Sequence, residues 1–172
     1  VTSAPAQSVS LRLLTPDEAR DIVAGRRPAH GWARDFPGDG DRVGARLATF
    51  PDADRGTPWF ASWLILVGDS VVGTIGCKGA PRDGTVEVGY GVAPSARRRG
   101  VASAALAQLL ERLDECGLVV EAETLTDNAP SQAVLRRQGF AAVGTRRDPD
   151  DGELIRWRRP RPGDGAGESA AP

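Results

Sequence analysis

The residue types able to do chemistry are concentrated between Glu87 and Gly100. Arg97-Arg98-Arg99-Gly100 stands at the head of a segment in which Ala102, Ala105, Leu106, Leu109, Leu110, Leu113 and Cys116 recur at threes and fours, a spacing that predicts one buried helical stripe. A helix N-terminus carries unpaired N–H groups and about half a positive elementary charge. Three arginines there are unfavourable unless an anion joins them. A phosphate bound by the amides of Arg99 to Ala102 together with a guanidinium would resolve the conflict. The run alone equally fits an arginine-rich solvated face, because Lys78 is the single lysine of the chain.

The element that must position these groups is the preceding strand. In Val86-Glu87-Val88-Gly89-Tyr90-Gly91-Val92 the period of two puts Val86, Val88, Tyr90 and Val92 on one face and Glu87, Gly89 and Gly91 on the other. The second face is nearly bare backbone beside one carboxylate, where an extended ligand can approach the main chain.

Upstream, Val9 to Leu14 alternates as a strand, and Thr15-Pro16-Asp17-Glu18 reads as an N-cap opening a short helix to about Gly25. Residues 26 to 41 read as a loop holding His30, Trp32 and Phe36, and Arg42 to Phe50 as a second short helix. Gly38-Asp39-Gly40 is no dinucleotide fingerprint, since no strand precedes it and Val43 stands where the third glycine belongs. Trp59 to Val67 and Val71 to Gly79 are apolar strands joined by a Gly68-Asp69-Ser70 hairpin, with Trp59 and Trp63 expected in the core. After the long helix, stopped at Gly117, come a strand from Leu118 to Thr126 and a helix from Pro130 to Gln138 ended by Gly139. Phe140 to Thr145 and Glu153 to Trp157 form a closing strand pair. One mixed α/β domain over residues 9–159 results, with flexible tails at 1–8 and 160–172.

Arg97-Arg98-Arg99-Gly100-Val101-Ala102 matches the Q/R-x-x-G-x-G/A signature of the GCN5-related N-acetyltransferases (GNAT), and Asn128, Ser131, Leu135 and Gly139-Phe140 match that family's N-x-x-S-x-x-x-L-x-x-x-G-F motif. Two motifs in order on the right elements make the chain resemble this superfamily. Leu135, where many members have tyrosine, points to the branch containing ribosomal-protein N-terminal acetyltransferases. The resemblance implies a mostly antiparallel mixed sheet of six to seven strands with flanking helices, strands four and five splayed. It implies acetyl-CoA as cosubstrate, with its pantetheine along the backbone of Tyr90, Gly91 and Val92. Arg97, Arg98, Arg99, Gly100, Val101, Ala102 and Ser103 are then placed at its pyrophosphate, and Asn128 and Ser131 at its arm. The other reading of that last pair is local: Asn128 ends its strand and Ser131 caps the next helix.

By the same resemblance Glu87 lies at the depth of the thioester and is the candidate general base, because an amine must lose its proton in the attack and a carboxylate can take it. Glu121 and Glu123 are rival carboxylates. Trp32, Asp35 and Phe36, in a loop with Asp39 and Asp41, are the candidate wall for a cationic acceptor. The acceptor is a small-molecule amine or a peptide or protein N-terminus, acetylated directly in a ternary complex. Leucine at 135 cannot protonate the departing thiolate, which keeps a second reading open: a module that binds acyl-CoA without turnover.

Composition bounds the alternatives. The chain has 172 residues, 40% hydrophobic and 26% charged, with a net charge of -1. That is enough for one proper core and too little positive charge for a general nucleic-acid or membrane binder. A single histidine and two cysteines, Cys77 and Cys116, supply no disulfide framework, serine triad or metal cluster. Cys116 is expected to pack as a small hydrophobe on its helix stripe. With no signal-like N-terminus and no membrane-length apolar run, a cytoplasmic protein is expected, either monomer or homodimer.

Overall fold

The computed structural model describes residues 8–27, 31–47, 49 and 62–164. His30, Trp59, the C-terminal end assigned to the second helix at Phe50, and most of both tails lie outside the described residues.

Among the described residues five elements precede the organising strand: β1 (Val9–Leu13), α1 (Pro16–Val23), α2 (Asp39–Leu47), β2 (Ser62–Val67) and β3 (Ser70–Cys77). They lead into β4 (Thr85–Val92) and a single 3-10 turn at Pro94–Ala96. The chain then runs through α3 (Val101–Asp114), β5 (Val119–Leu125), α4 (Ala129–Arg137), β6 (Ala141–Asp148) and β7 (Gly152–Arg159). The seven strands form one sheet in the order β1-β2-β3-β4-β5-β7-β6. All neighbours are antiparallel except β4 and β5, whose parallel pairing requires the helical crossover that α3 provides.

The sheet is buried on both faces only over its first half. Leu64 and Val71 join Ala19, Ile22 and Phe36 in one core, with Ala45 of α2. Ile65, Val72, Ile75 and Cys77 join the α3 stripe in the other. Strands covered on two sides need apolar residues at every position, which is why β2 and β3 read as continuous apolar runs. On β4 the second face is covered toward its Val92 end, where Asp41 of α2 packs against Gly91, whereas from Glu87 across β5 that face joins no core. Val86, Val88, Val120 and Ala122 enter the α3 core with Leu135 of α4 and Trp157 of β7, so Glu87, Glu121 and Glu123 alternate onto the opposite, charged face.

Three of the four helices begin with a side-chain device. Thr15 and Glu18 form a reciprocal capping box on α1. Asp41 accepts the Gly38 N–H at 2.9 Å in the first turn of α2, and Asn128 accepts the Ser131 N–H at 3.2 Å at the start of α4. The fourth, α3, has no side-chain cap and no acidic residue in its first turn.

Several expectations are corrected. The second helix starts at Asp39 rather than Arg42, because Asp39 and Asp41 are favourable in a first turn; they are helical, not loop, residues. Cys116 is exposed. The helix ends at Asp114, so its 3.6-residue phase does not extend to position 116, where the thiol reaches only the Arg112 carbonyl at 3.5 Å. Gly117 does take the left-handed conformation, with φ of 63°. Strands β6 and β7 are longer than read, since Arg146, Arg147 and Arg159 pair within the ladder although charged. Trp63 is only partly buried at the rim of the α3 core, with the Arg112 guanidinium 4.3 Å above its ring.

Candidate active site

The decisive feature is a split between neighbouring strands. Strands β4 and β5 pair only through Thr85 with Val119, Val86 with Val120 and Glu87 with Glu121. Beyond these residues β4 pairs with β3 alone and β5 with β7. A cavity of about 410 Å³ opens at the split, lined by Val88, Gly89 and Tyr90 on β4, by Ala122 and Glu123 on β5, and by Ser131 and Leu135 on α4. Its far wall comes from α2 and β3, including Asp39, Val43 and Thr74, with Lys78 just past the end of β3, and Asp151 of the β6–β7 turn also reaches it.

The arginine turn lies at the end of β4. Gly100, at φ 76°, is the N-cap of α3, and a Cβ there would meet nothing within 4 Å, so its role is conformational. The first N–H groups of a helix have no partner within it, and Gly100 at the N-cap supplies no side-chain bond to them. Arg98 also holds a left-handed conformation, φ 61°. Arg97 turns back, its Nε donating to the Val92 carbonyl at 2.8 Å, which ties the turn to the strand end. In the first turn Ser103 has a buried hydroxyl without a hydrogen-bond partner among the described residues, and its carbonyl accepts from Gln138 Nε2 at 3.2 Å. An uncapped helix end, an open glycine and adjacent arginines fit a phosphate-bearing ligand.

The glycines of β4 have an additional reason. A Cβ on Gly91 would lie 2.8 Å from Asp41 Oδ1, and one on Gly73 would lie 2.1 Å from the Gly91 carbonyl oxygen. Glycine at 91 thus admits a buried carboxylate from α2. That carboxylate is 3% exposed and accepts from Thr74 Oγ1 at 2.7 Å. Burial raises the Asp41 pKa, opposed by the Thr74 and Gly38 hydrogen bonds and more weakly by Arg97.

The three glutamates of the charged face all have cationic neighbours. Glu87 lies 2.5 Å from Lys78 Nζ and is not among the residues lining the cavity, whereas Lys78 is. Glu121 faces Arg158 at 3.3 Å and Arg156 at 3.9 Å. Glu123 does line the cavity, where Arg146 grips it with two bonds of 2.6 Å and lowers its pKa.

Loop residues read as an acceptor wall are placed elsewhere. Phe36 is 1% exposed in the α1–α2 core, and Trp32 meets it edge-on with ring centroids 5.0 Å apart. Asp35 accepts both the N–H and the hydroxyl of Ser95 at 2.7 Å, which lowers its pKa and anchors the turn before the arginines. Asp39 reaches the cavity, as does Val43, whose 64% exposure the sequence pattern did not single out.

On α4, Asn128 spends its side-chain oxygen on the helix cap. This leaves the Ser131 hydroxyl to the cavity, 2.8 Å from the hydroxyl of Tyr90. Sequence reasoning missed that partnership, because 41 residues separate the two and only the split brings them together. Cys77 lines the cavity, but burial pushes its thiol up to about 12, which removes it as a nucleophile. Among the described residues no group of three or more His, Cys, Asp or Glu is placed to hold a metal, and no helix is long and apolar enough to cross a membrane.

The acetyltransferase (GNAT) domain family matches residues 8–141. The chain belongs to that family, and its class is that of the acyltransferases. Among solved structures, a ribosomal-protein-S5-alanine acetyltransferase from Vibrio fischeri aligns with a TM-score of 0.66 at 15% identity, covering 90% of this chain and 94% of that one. Mycobacterium smegmatis RimJ in complex with CoA-disulfide aligns at 0.61 and 24%, over 90% and 82%. The ribosomal L7/L12 alpha-N-protein acetyltransferase RimL, in complex with coenzyme A, aligns at 0.55 and 21%, and the alignment spans 59% of this chain and 62% of that one. These similarities establish the fold. No curated protein matches the chain in sequence.

Proposed function

We propose that the protein is an acetyl-CoA-dependent N-acetyltransferase acting on a primary amine. The observation that carries this reading is the split between β4 and β5, which opens a cavity against Val88, Gly89 and Tyr90 of β4, the strand whose chain continues into the arginine-flanked start of α3, where the N-cap gives no side-chain bond. Arg97 to Ser103 hold the pyrophosphate, and the backbone of Tyr90 to Val92 receives the pantetheine. Ser131 meets its arm from α4, while Asn128 acts by fixing the first turn of α4. The structural neighbours solved in complex with coenzyme A and with CoA-disulfide support this choice of cosubstrate.

The acceptor enters from the side of α2 and the β6–β7 turn, where Asp39 and Asp151 favour a cation. Neighbours named as a ribosomal L7/L12 alpha-N-protein acetyltransferase and a ribosomal-protein-S5-alanine acetyltransferase support a peptide or protein amine. Trp32 and Phe36 support α2 from the core beneath it, and Asp35 acts at the other end, holding the turn before the arginines through Ser95. The amine nitrogen attacks the thioester carbonyl, and Glu87, directly or through water, takes its proton. Glu123 is the second candidate base, on the specific ground that it lines the cavity. The transfer is direct; no cysteine carries the acyl group.

Calorimetric titration with CoA tests the site. Reversing Arg97 and Arg98 to glutamate should weaken binding strongly, whereas reversing Arg158 and Arg161, remote from the turn in sequence, should weaken it less. Equal affinity of the Arg97→Glu/Arg98→Glu protein and the parent would contradict the assignment.

A further inference from the structure

Acyl transfer from a thioester leaves a thiolate, which must take a proton from a group in the cavity or from water. The cavity wall offers few donors. Its titratable groups are Asp39, Cys77, Lys78, Tyr90, Glu123 and Asp151. Three are carboxylates. Lys78 is engaged by Glu87 at 2.5 Å, and the Cys77 thiol holds its proton up to about 12. On α4, Leu135 presents a hydrocarbon side chain to the cavity.

Tyr90 remains, and its setting suits a proton donor. It projects from β4 at the split, away from the Glu87 face. Its hydroxyl is 2.8 Å from the Ser131 hydroxyl, while its distance to the Ser131 carbonyl, 3.4 Å, is too long for a strong bond. A hydroxyl is both donor and acceptor, so Ser131 can donate to the phenol oxygen and leave the phenol proton directed elsewhere. Burial raises the Tyr90 pKa, opposed by the Ser131 bond. The phenol is therefore protonated at neutral pH, and Ser131 stabilises the negative charge that appears on its oxygen when the proton leaves.

We propose that Tyr90 is the catalytic acid that protonates the departing thiolate and that Ser131 is its positioning residue. The inference rests on the acetyl-transfer reading. The C–N bond forms as the C–S bond breaks with its electron pair on sulfur, and sulfur takes the phenol proton. The phenolate then recovers a proton from solvent, into which the base releases the one it took from the amine.

The chain contains a single tyrosine, so tyrosine chemistry reports this residue alone. Thiol release from acetyl-CoA is measured for the parent, Tyr90→Phe and Ser131→Ala, and for protein grown with 3-fluorotyrosine, a more acidic phenol of nearly the same shape. Tyr90→Phe should lower kcat by about a hundred- to ten-thousandfold with the KM for acetyl-CoA nearly unchanged, since the interaction is made only in the transition state. Ser131→Ala should lower kcat less. In the fluorotyrosine protein the alkaline limb of kcat should move to lower pH, which a merely structural phenol would not do and which needs no mutant to fold. An unchanged kcat in Tyr90→Phe, or an unmoved alkaline limb in the fluorinated protein, overturns the inference. Absence of thiol release in the parent with every acceptor instead overturns the acetyl-transfer reading on which it rests.

Discussion

At Asp41 two effects oppose each other. Removing a carboxylate from water disfavours its charge, while hydrogen bonds from Thr74 and Gly38 favour it, and burial is the larger. The folded pKa therefore lies above the ordinary carboxylate value of about 3.9. The resulting stability is fully present below the unfolded pKa and is lost as pH rises through the folded one. Asn at 41 cannot ionise, and its amide can accept from Gly38 and donate to Thr74. Thermal melts should show the parent losing stability relative to Asp41→Asn as pH is raised from about 3 toward neutrality; parallel curves would show that the charged form is not penalised. Glu87→Gln tests the base in the same spirit. It keeps the shape and removes the proton acceptor, so CoA affinity should persist while turnover falls by about a hundredfold or more. Full turnover in Glu87→Gln with loss in Glu123→Gln would move the base to β5.

Helix α3 organises the fold at the scale of elements. Leu106, Leu109 and Leu113 are fully buried against the sheet, and its N-terminus is the arginine turn, so the core fixes the position of that turn. Leu109→Ala should destabilise the fold by about 2–5 kcal/mol, measured by urea denaturation; a loss well under 1 kcal/mol would mean that the site collapses around the missing atoms. This helix was legible in the sequence because its period is clean and its ends carry Gly100 and Gly117. The alternation of β4 and the order of the two motifs were legible for the same reason, since both are local patterns. The start of α2 was not. Its signal is a carboxylate reaching back to Gly38 from Asp41, inside a glycine- and aspartate-rich stretch with the composition of a loop. The pairings of Asp41 with Thr74, Lys78 with Glu87 and Tyr90 with Ser131 were illegible too, because each joins residues that only the packing of α2 on β3, the sheet register or the split brings into contact.

Across the whole molecule, the division of the sheet between covered and open halves produces the site. Helices α1 and α2 bury one face of β2 and β3, and on β5 and β7 the corresponding positions carry Glu121, Glu123, Arg156 and Arg158, paired with one another rather than buried in a core. The boundary between the halves is the β4–β5 split. The split thus lies between the strand that runs on into the arginine turn and a polar, partly acidic rim that includes Asp39, Glu123 and Asp151, an asymmetry that suits a two-substrate transfer. The central claim is that this cavity performs acyl transfer rather than only holding acyl-CoA. The direct measurement is release of free thiol from acetyl-CoA across a panel of small primary amines and peptides with free N-termini, with the acetylated product quantified in parallel. The account predicts thiol release that depends on an acceptor and matches the product one for one. Tight CoA binding by calorimetry with no acceptor-dependent thiol release would contradict it and leave a binding module.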